Sequence, residues 1–165
     1  MKTFVIYDSA FGNTRQIAQA IGNALGSANE VEVHQVNEVQ PEQLAGLELL
    51  VVGSPTQKFR PLPTMTNLLQ RIPPNSLNGV KVAAFDTRIS VKETKSAILN
   101  FFVKLSGPAA YAAKHIADGL KKSGGELIVP PEGFLVDGTK GPLKPGELER
   151  AADWIKQAVQ SNAKR

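Results

Sequence analysis

An α/β fold, a doubly wound sheet of five parallel strands in the order 2-1-3-4-5 with helices on both faces, is what the sequence predicts, as a single domain over residues 1–165. Short runs rich in β-branched residues alternate with stretches of helical period, the pattern of parallel strands joined by crossover helices. Two of those runs, Lys2 to Tyr7 and Leu49 to Gly53, are nearly all apolar, as central strands covered on both faces require. A turn of small and hydroxyl-bearing residues follows the first run, where such sheets open a ligand crevice.

Each element has its own signal. Lys2 to Tyr7 is the first strand, and from Thr14 to Leu25 the positions Ile17, Ala20, Ile21, Ala24 and Leu25 follow helical spacing up to Gly26, a natural stop. Val31 to Val36 alternates apolar and polar residues as an edge strand does. Leu49 to Gly53 is the third strand, Pro61 to Ile72 a short helix closed by Pro73 and Pro74, and Val80 to Phe85 the fourth strand. Pro108 to Lys122 is predicted as one helix that opens on proline and ends at Gly124-Gly125. Glu126 to Val129 and Phe134 to Val136 form a last strand interrupted by Pro130-Pro131. Pro145 to Gln160 closes the fold with the stripe Leu148, Ala152, Ile155 and Val159. The long connection from Ile89 to Gly107 holds Ile98, Leu99, Phe101, Phe102 and Leu105 at roughly helical spacing; it reads either as a short helix packed on the core or as a lid beside the ligand.

Composition narrows the chemistry. There is no cysteine, which excludes disulfides, thiolate nucleophiles and cysteine-held metal clusters, so redox chemistry requires a bound cofactor. The opening apolar run is too short for a signal-peptide core or a membrane span, and a cytoplasmic protein without membrane insertion is expected. The net charge of +4 is uneven: residues 81–165 carry 14 basic and 9 acidic side chains, against 5 and 6 in residues 1–80. Seven basic residues between Arg88 and Lys122 meet only Glu93 and Asp118, which is either a solvated face or a docking patch for an acidic partner. Nucleic-acid binding is not expected, because no basic and aromatic residues interleave on a strand.

The stretch Tyr7-Asp8-Ser9-Ala10-Phe11-Gly12-Asn13-Thr14 lies between a buried strand and a helix start. Helix N-terminal amides are unpaired donors at the positive end of the dipole, and Ser9, Asn13 and Thr14 add side-chain donors; the turn therefore suits a phosphate monoester. Neither G-x-x-x-x-G-K-[ST] nor G-x-G-x-x-G occurs. Ser9, Gly12, Asn13 and Thr14 match the Ser/Thr-x-x-Gly-x-Thr loop of the flavodoxin family, which this chain resembles along nearly its whole length. That resemblance implies a flavodoxin-like fold binding flavin mononucleotide (FMN), with Ser9, Ala10, Phe11, Gly12, Asn13 and Thr14 at its phosphate. It places Ser54, Pro55, Thr56, Gln57 and Phe59 in one loop flanking the isoalloxazine ring, and Asp86, Thr87 and Arg88 in the other, after the fourth strand.

The chain departs from electron-transfer flavodoxins in three ways. Its second ring-flanking loop has no aromatic residue, the protein is basic where those flavodoxins are acidic, and between Ser54 and Pro61 there is no glycine, asparagine or aspartate. The last point makes a positive φ in that loop costly. Arg88 either sets a cation against the reduced ring or pairs with Asp86. His34 and His115 read as structural, Trp154 and Tyr111 as packing residues, Tyr111 being close to the Gly107-Pro108 turn; Asp137 to Pro142 reads as a turn without catalytic pattern. Two functions follow from the resemblance: an electron carrier docking on redox partner proteins, and an FMN-dependent reductase of a quinone-like or other small molecule.

Overall fold

The computed structural model describes residues 1–27, 30–90 and 96–165. Strand β1 (Thr3–Tyr7) leads through helix α1 (Asn13–Leu25) to β2 (Val31–Gln35), and β3 (Leu49–Pro55) through α2 (Pro63–Arg71) to β4 (Lys81–Ile89). Helices α3 (Ala97–Ser106) and α4 (Ala112–Lys122) precede the short strands β5 (Glu126–Leu127) and β6 (Glu132–Val136), and α5 (Glu147–Ala163) follows them. All pairings between these strands are parallel, in the order β2-β1-β3-β4-β5. The fifth position is shared: β5 pairs with Lys81 and Val82, and β6 with Phe85 to Ile89 farther along the same strand. Pro130 and Pro131, which have no N–H for a ladder, fall in the gap, as the interrupted run predicts.

Alternation along the central strands divides the interior in two. Phe4, Ile6, Leu50, Val52 and Val82 face α2 and α4, where Met65, Leu68, Ile116 and Leu120 cover them. Val5, Tyr7, Val51, Ala83 and Phe85 face α1 and α5, against Ile17, Ile21, Ala151 and Ile155. Gly53 is required at one crowded point, since a Cβ there would occupy the space of the Phe85 ring. Among the described residues no helix is long and apolar enough to cross a membrane.

Three boundaries and the packing of one helix differ from the sequence reading in ways that bear on the site. β3 and β4 run past Gly53 and Phe85, so Ser54, Pro55, Asp86, Thr87 and Arg88 are strand residues rather than loop residues. Polar side chains continue the strand because each finds a partner: Asp86 pairs with Arg88, and Thr87 with Thr14. The stretch from Pro108 is not one helix; Gly107–Ala110 is a 3₁₀ turn, and α4 starts at Ala112. Helix α3 has no buried residue, so it is not packed on the core, although part of the 89–107 connection, residues 91–95, lies outside the described residues.

Candidate functional site

The turn after β1 is fixed by its own short bonds. The Asp8 carboxylate accepts from the Ser9 amide at 2.9 Å, and the Ser9 hydroxyl accepts from the Gly12 amide at 3.0 Å. Gly12, at φ 91°, takes the left-handed conformation that turns the chain into α1. No side chain caps α1, which leaves its first-turn amides for a ligand. Asn13 donates to the Lys140 carbonyl at 3.2 Å, and a side chain at Gly141 would collide with the Asn13 amide. The Thr14 hydroxyl is 2.8 Å from that of Thr87, so the turn is tied to both β4 and the 137–142 turn.

Above these ties lies a narrow crevice of about 110 Å³. Ser9, Ala10, Phe11, Asn13 and Thr14 form one wall, Pro55, Thr56 and Gln57 another, and Thr87, Arg88, Val136 and Thr139 close it. Through Thr56, Arg88, Ile89 and Thr139 it runs into a wider cavity of about 620 Å³. Phe59 and Lys58 bound that cavity on one side, Ala110 and Tyr111 on the other, and Leu99 and Val103 of α3 lie alongside. The arrangement is a donor-rich slot opening into an apolar chamber at the carboxyl ends of β1, β3 and β4, at the switch point of the sheet.

A matching family model and similar structures accompany this geometry. The flavodoxin domain model matches residues 4–129. A flavodoxin of Picosynechococcus is 38% identical over 55 residues, which is 33% of this chain and 32% of that protein; the match spans about a third of the relative. An archaeal flavodoxin aligns over 98% of both chains with a TM-score of 0.72 at 24% identity. Flavodoxin 2 of Bacillus cereus aligns over 98% of this chain and 99% of its own with a TM-score of 0.75 at 19% identity. The chain belongs to the flavodoxin family.

Not every residue that the resemblance places at the cofactor faces the crevice of this flavodoxin. Ser54 is fully buried; its hydroxyl donates to the Pro55 carbonyl and accepts from the Leu62 amide, each at 3.0 Å, and so sets the course of the loop. Asp86 is also fully buried. It takes a bidentate bond from Arg88 at 2.6 and 2.7 Å and accepts from the Ala113 amide at 2.9 Å. Burial pushes its carboxyl pKa up, against the pull of Arg88 and of that amide. The Arg88 guanidinium stacks on the Tyr111 ring, 3.5 Å from its centroid, and a Cβ at Gly133 would strike it from the β6 side. Of the two fates open to Arg88, pairing with Asp86 is the one observed.

The loop 57–60 adopts the costly left-handed conformation without glycine. Gln57 and Arg60 exchange two backbone bonds around Lys58 and Phe59, whose φ values are 50° and 66°. A two-residue turn of this kind needs two left-handed residues, and here neither is glycine, at a cost of about 1–2 kcal/mol each. Strain of this size at a ligand-facing loop is characteristic of binding sites. Tyr111, Ile89, Leu99, Val103, Val136 and Thr139 also line the site and were not assigned to it from sequence. Two signals pointed toward some of them: the Gly107-Pro108 turn before Tyr111, and the lid reading of the 89–107 connection, which holds Ile89, Leu99 and Val103. His34 pairs with Glu32 and His115 with the Ala109 carbonyl, and no metal-binding group is present among the described residues.

Proposed function

We propose that this flavodoxin binds FMN, with the phosphate on Ser9 to Thr14 and the isoalloxazine ring in the wider cavity between Phe59 and Tyr111, and passes electrons between partner proteins. The observation that carries this reading is the continuity of an uncapped helix N-terminus with an apolar chamber through four shared residues. The donor set fits a phosphate monoester: free amides, the Asn13 side chain and the Ser9 hydroxyl surround a slot too narrow for a second nucleotide. Bound there, the flavin supplies the capacity to take up and release one or two electrons. The chain orients it: Thr56 and Arg88 stand where slot meets chamber, and Phe59, Tyr111 and α3 keep water from the ring. Titration watched in the visible spectrum tests the proposal. FMN should bind at least about tenfold more tightly than riboflavin, the worth of a charge-assisted phosphate contact. Preference for FAD, or no flavin uptake, refutes it.

A second reading, reduction of a quinone-like small molecule on the same flavin, draws support from the size of the 620 Å³ cavity and its cover by Leu99 and Val103. Turnover of a soluble quinone by the FMN-loaded protein with a nicotinamide donor is its test.

A further inference from the structure

Helix α3 turns its apolar side outward. Ile98, Phe101, Phe102 and Leu105 form one stripe at helical spacing and are 72%, 64%, 51% and 73% exposed, while Leu99 and Val103 on the other side line the chamber. Eight of the ten large hydrophobic side chains exposed among the described residues belong to this helix or to the crevice rim, Phe11, Phe59 and Ile89 included. Lys58 lines the chamber, Lys140 lies over the Phe11 ring of the crevice, Lys104 sits on α3 itself and Arg60 ends the 57–60 turn; all four are exposed, and none has a carboxylate partner among the described residues. The wider basic face that residues 88–122 suggest is smaller than its sequence count, because Arg88 is held by Asp86 and Lys114 by Asp118. A patch of this kind on a water-exposed helix marks an interaction site.

We infer that the outer face of α3, with the basic rim, docks an acidic redox protein whose own apolar centre is ringed by carboxylates; this rests on the FMN reading above. An aromatic centre with charges dispersed at the rim is the layout of a protein interface. A helix lying in a membrane surface would instead carry several cations on its own polar flank, and α3 has one, Lys104. A second copy of this chain would set like charges against each other. Docking on α3 brings the partner within one helix thickness of the ring, since the inner side of that helix lines the chamber.

The probe is a reduced, acidic plant-type [2Fe–2S] ferredoxin mixed in stopped flow with FMN-loaded protein. Each reduced cluster is oxidised by one electron, the flavin gains that electron, two ferredoxins complete its reduction and solvent supplies the protons. A large excess of reduced ferredoxin drives the transfer toward the flavin by mass action. The second-order rate should fall at least about tenfold from low to physiological ionic strength. The double variant Phe101→Asp/Leu105→Asp should lower it by roughly tenfold while FMN affinity and the visible spectrum stay unchanged. A double variant that reacts at the parent rate, or a rate indifferent to salt, overturns the inference. So does a dimer in sedimentation that the double variant dissolves, or retention on phosphatidylglycerol vesicles with no ferredoxin dependence. Failure to retain FMN before mixing refutes the function reading and this inference with it; FMN retained without any dependence on the α3 face refutes this inference alone.

Discussion

Asp8 closes β1 with one carboxylate oxygen on the Ser9 amide and the other buried without a hydrogen-bond donor. Burial raises its pKa above the ordinary carboxylate value; the Ser9 amide and, outside hydrogen-bond geometry, the Met65 amide offset this in part. The folded state therefore holds the proton more tightly than the unfolded chain, which releases it near pH 4. Stability from this group is greatest below that pH and is lost as pH rises through the folded value. Urea unfolding of the flavin-free protein at pH 4.5 and 7 should show this decline, and Asp8→Asn should reduce it; an unchanged slope in the variant would remove Asp8 as its source. Arg88 has the opposite role. It is the counter-ion of a fully buried carboxylate, so Arg88→Met should cost about 3–5 kcal/mol, and Asp86→Asn in the same protein should recover part of that loss. Strict additivity of the two substitutions would show that the pair does not act as a unit.

Helix α4 begins without a cap of its own, because Tyr111 at its N-cap makes no side-chain bond to the first turn. Residues at the ends of two strands supply it: the Ala112 amide donates to the hydroxyl of Thr56, just past β3, and the Ala113 amide to Asp86 of β4, both at 2.9 Å. Thr56→Val keeps the shape and removes the acceptor. It should lower stability by about 0.5–2 kcal/mol, with Thr56→Ser restoring it, as thermal unfolding can measure; equal stability of all three would deny the cap. These crossed caps also explain which elements were legible in the sequence. Strands and helices with a strong apolar period were read within a few residues, because burial alone sets their pattern. The end of β4 was not, since Asp86, Thr87 and Arg88 are polar and their partners, Ala113, Thr14 and Tyr111, are distant in the chain. Helix α3 was found by its period, but periodicity cannot tell which way an apolar stripe points. The left-handed turn at Lys58 and Phe59 carries no composition signal at all.

At the scale of the molecule, the near-continuous apolar runs of the central strands were enough to read a sheet with two covered faces, and the hydroxyl-rich turn located its crevice. The far wall, made by Tyr111 and Thr139, comes from segments about a hundred residues away whose local sequence reads as packing or turn. The segments around the crevice are held together by single side-chain bonds: Asn13 of the first turn to Lys140, Thr14 to Thr87 of β4, and Thr56 to Ala112. Segments held by so few bonds open at lower free energy than the strands beneath them. A ligand spanning slot and chamber would join all of them, so FMN should act on stability through the loops first and the core second. At a hundredfold excess over its dissociation constant it adds about 2.7 kcal/mol, which for a chain of this length raises the unfolding midpoint by roughly 5–10 °C. Hydrogen exchange gives the spatial test. Amides of residues 9–15, 56–60 and 137–141 should gain protection at low opening energies when FMN is added, whereas β1, β3 and the buried part of β4 should change only through global unfolding. Protection confined to the strands, or a midpoint that FMN leaves in place, would mean that the loops do not converge on a common ligand.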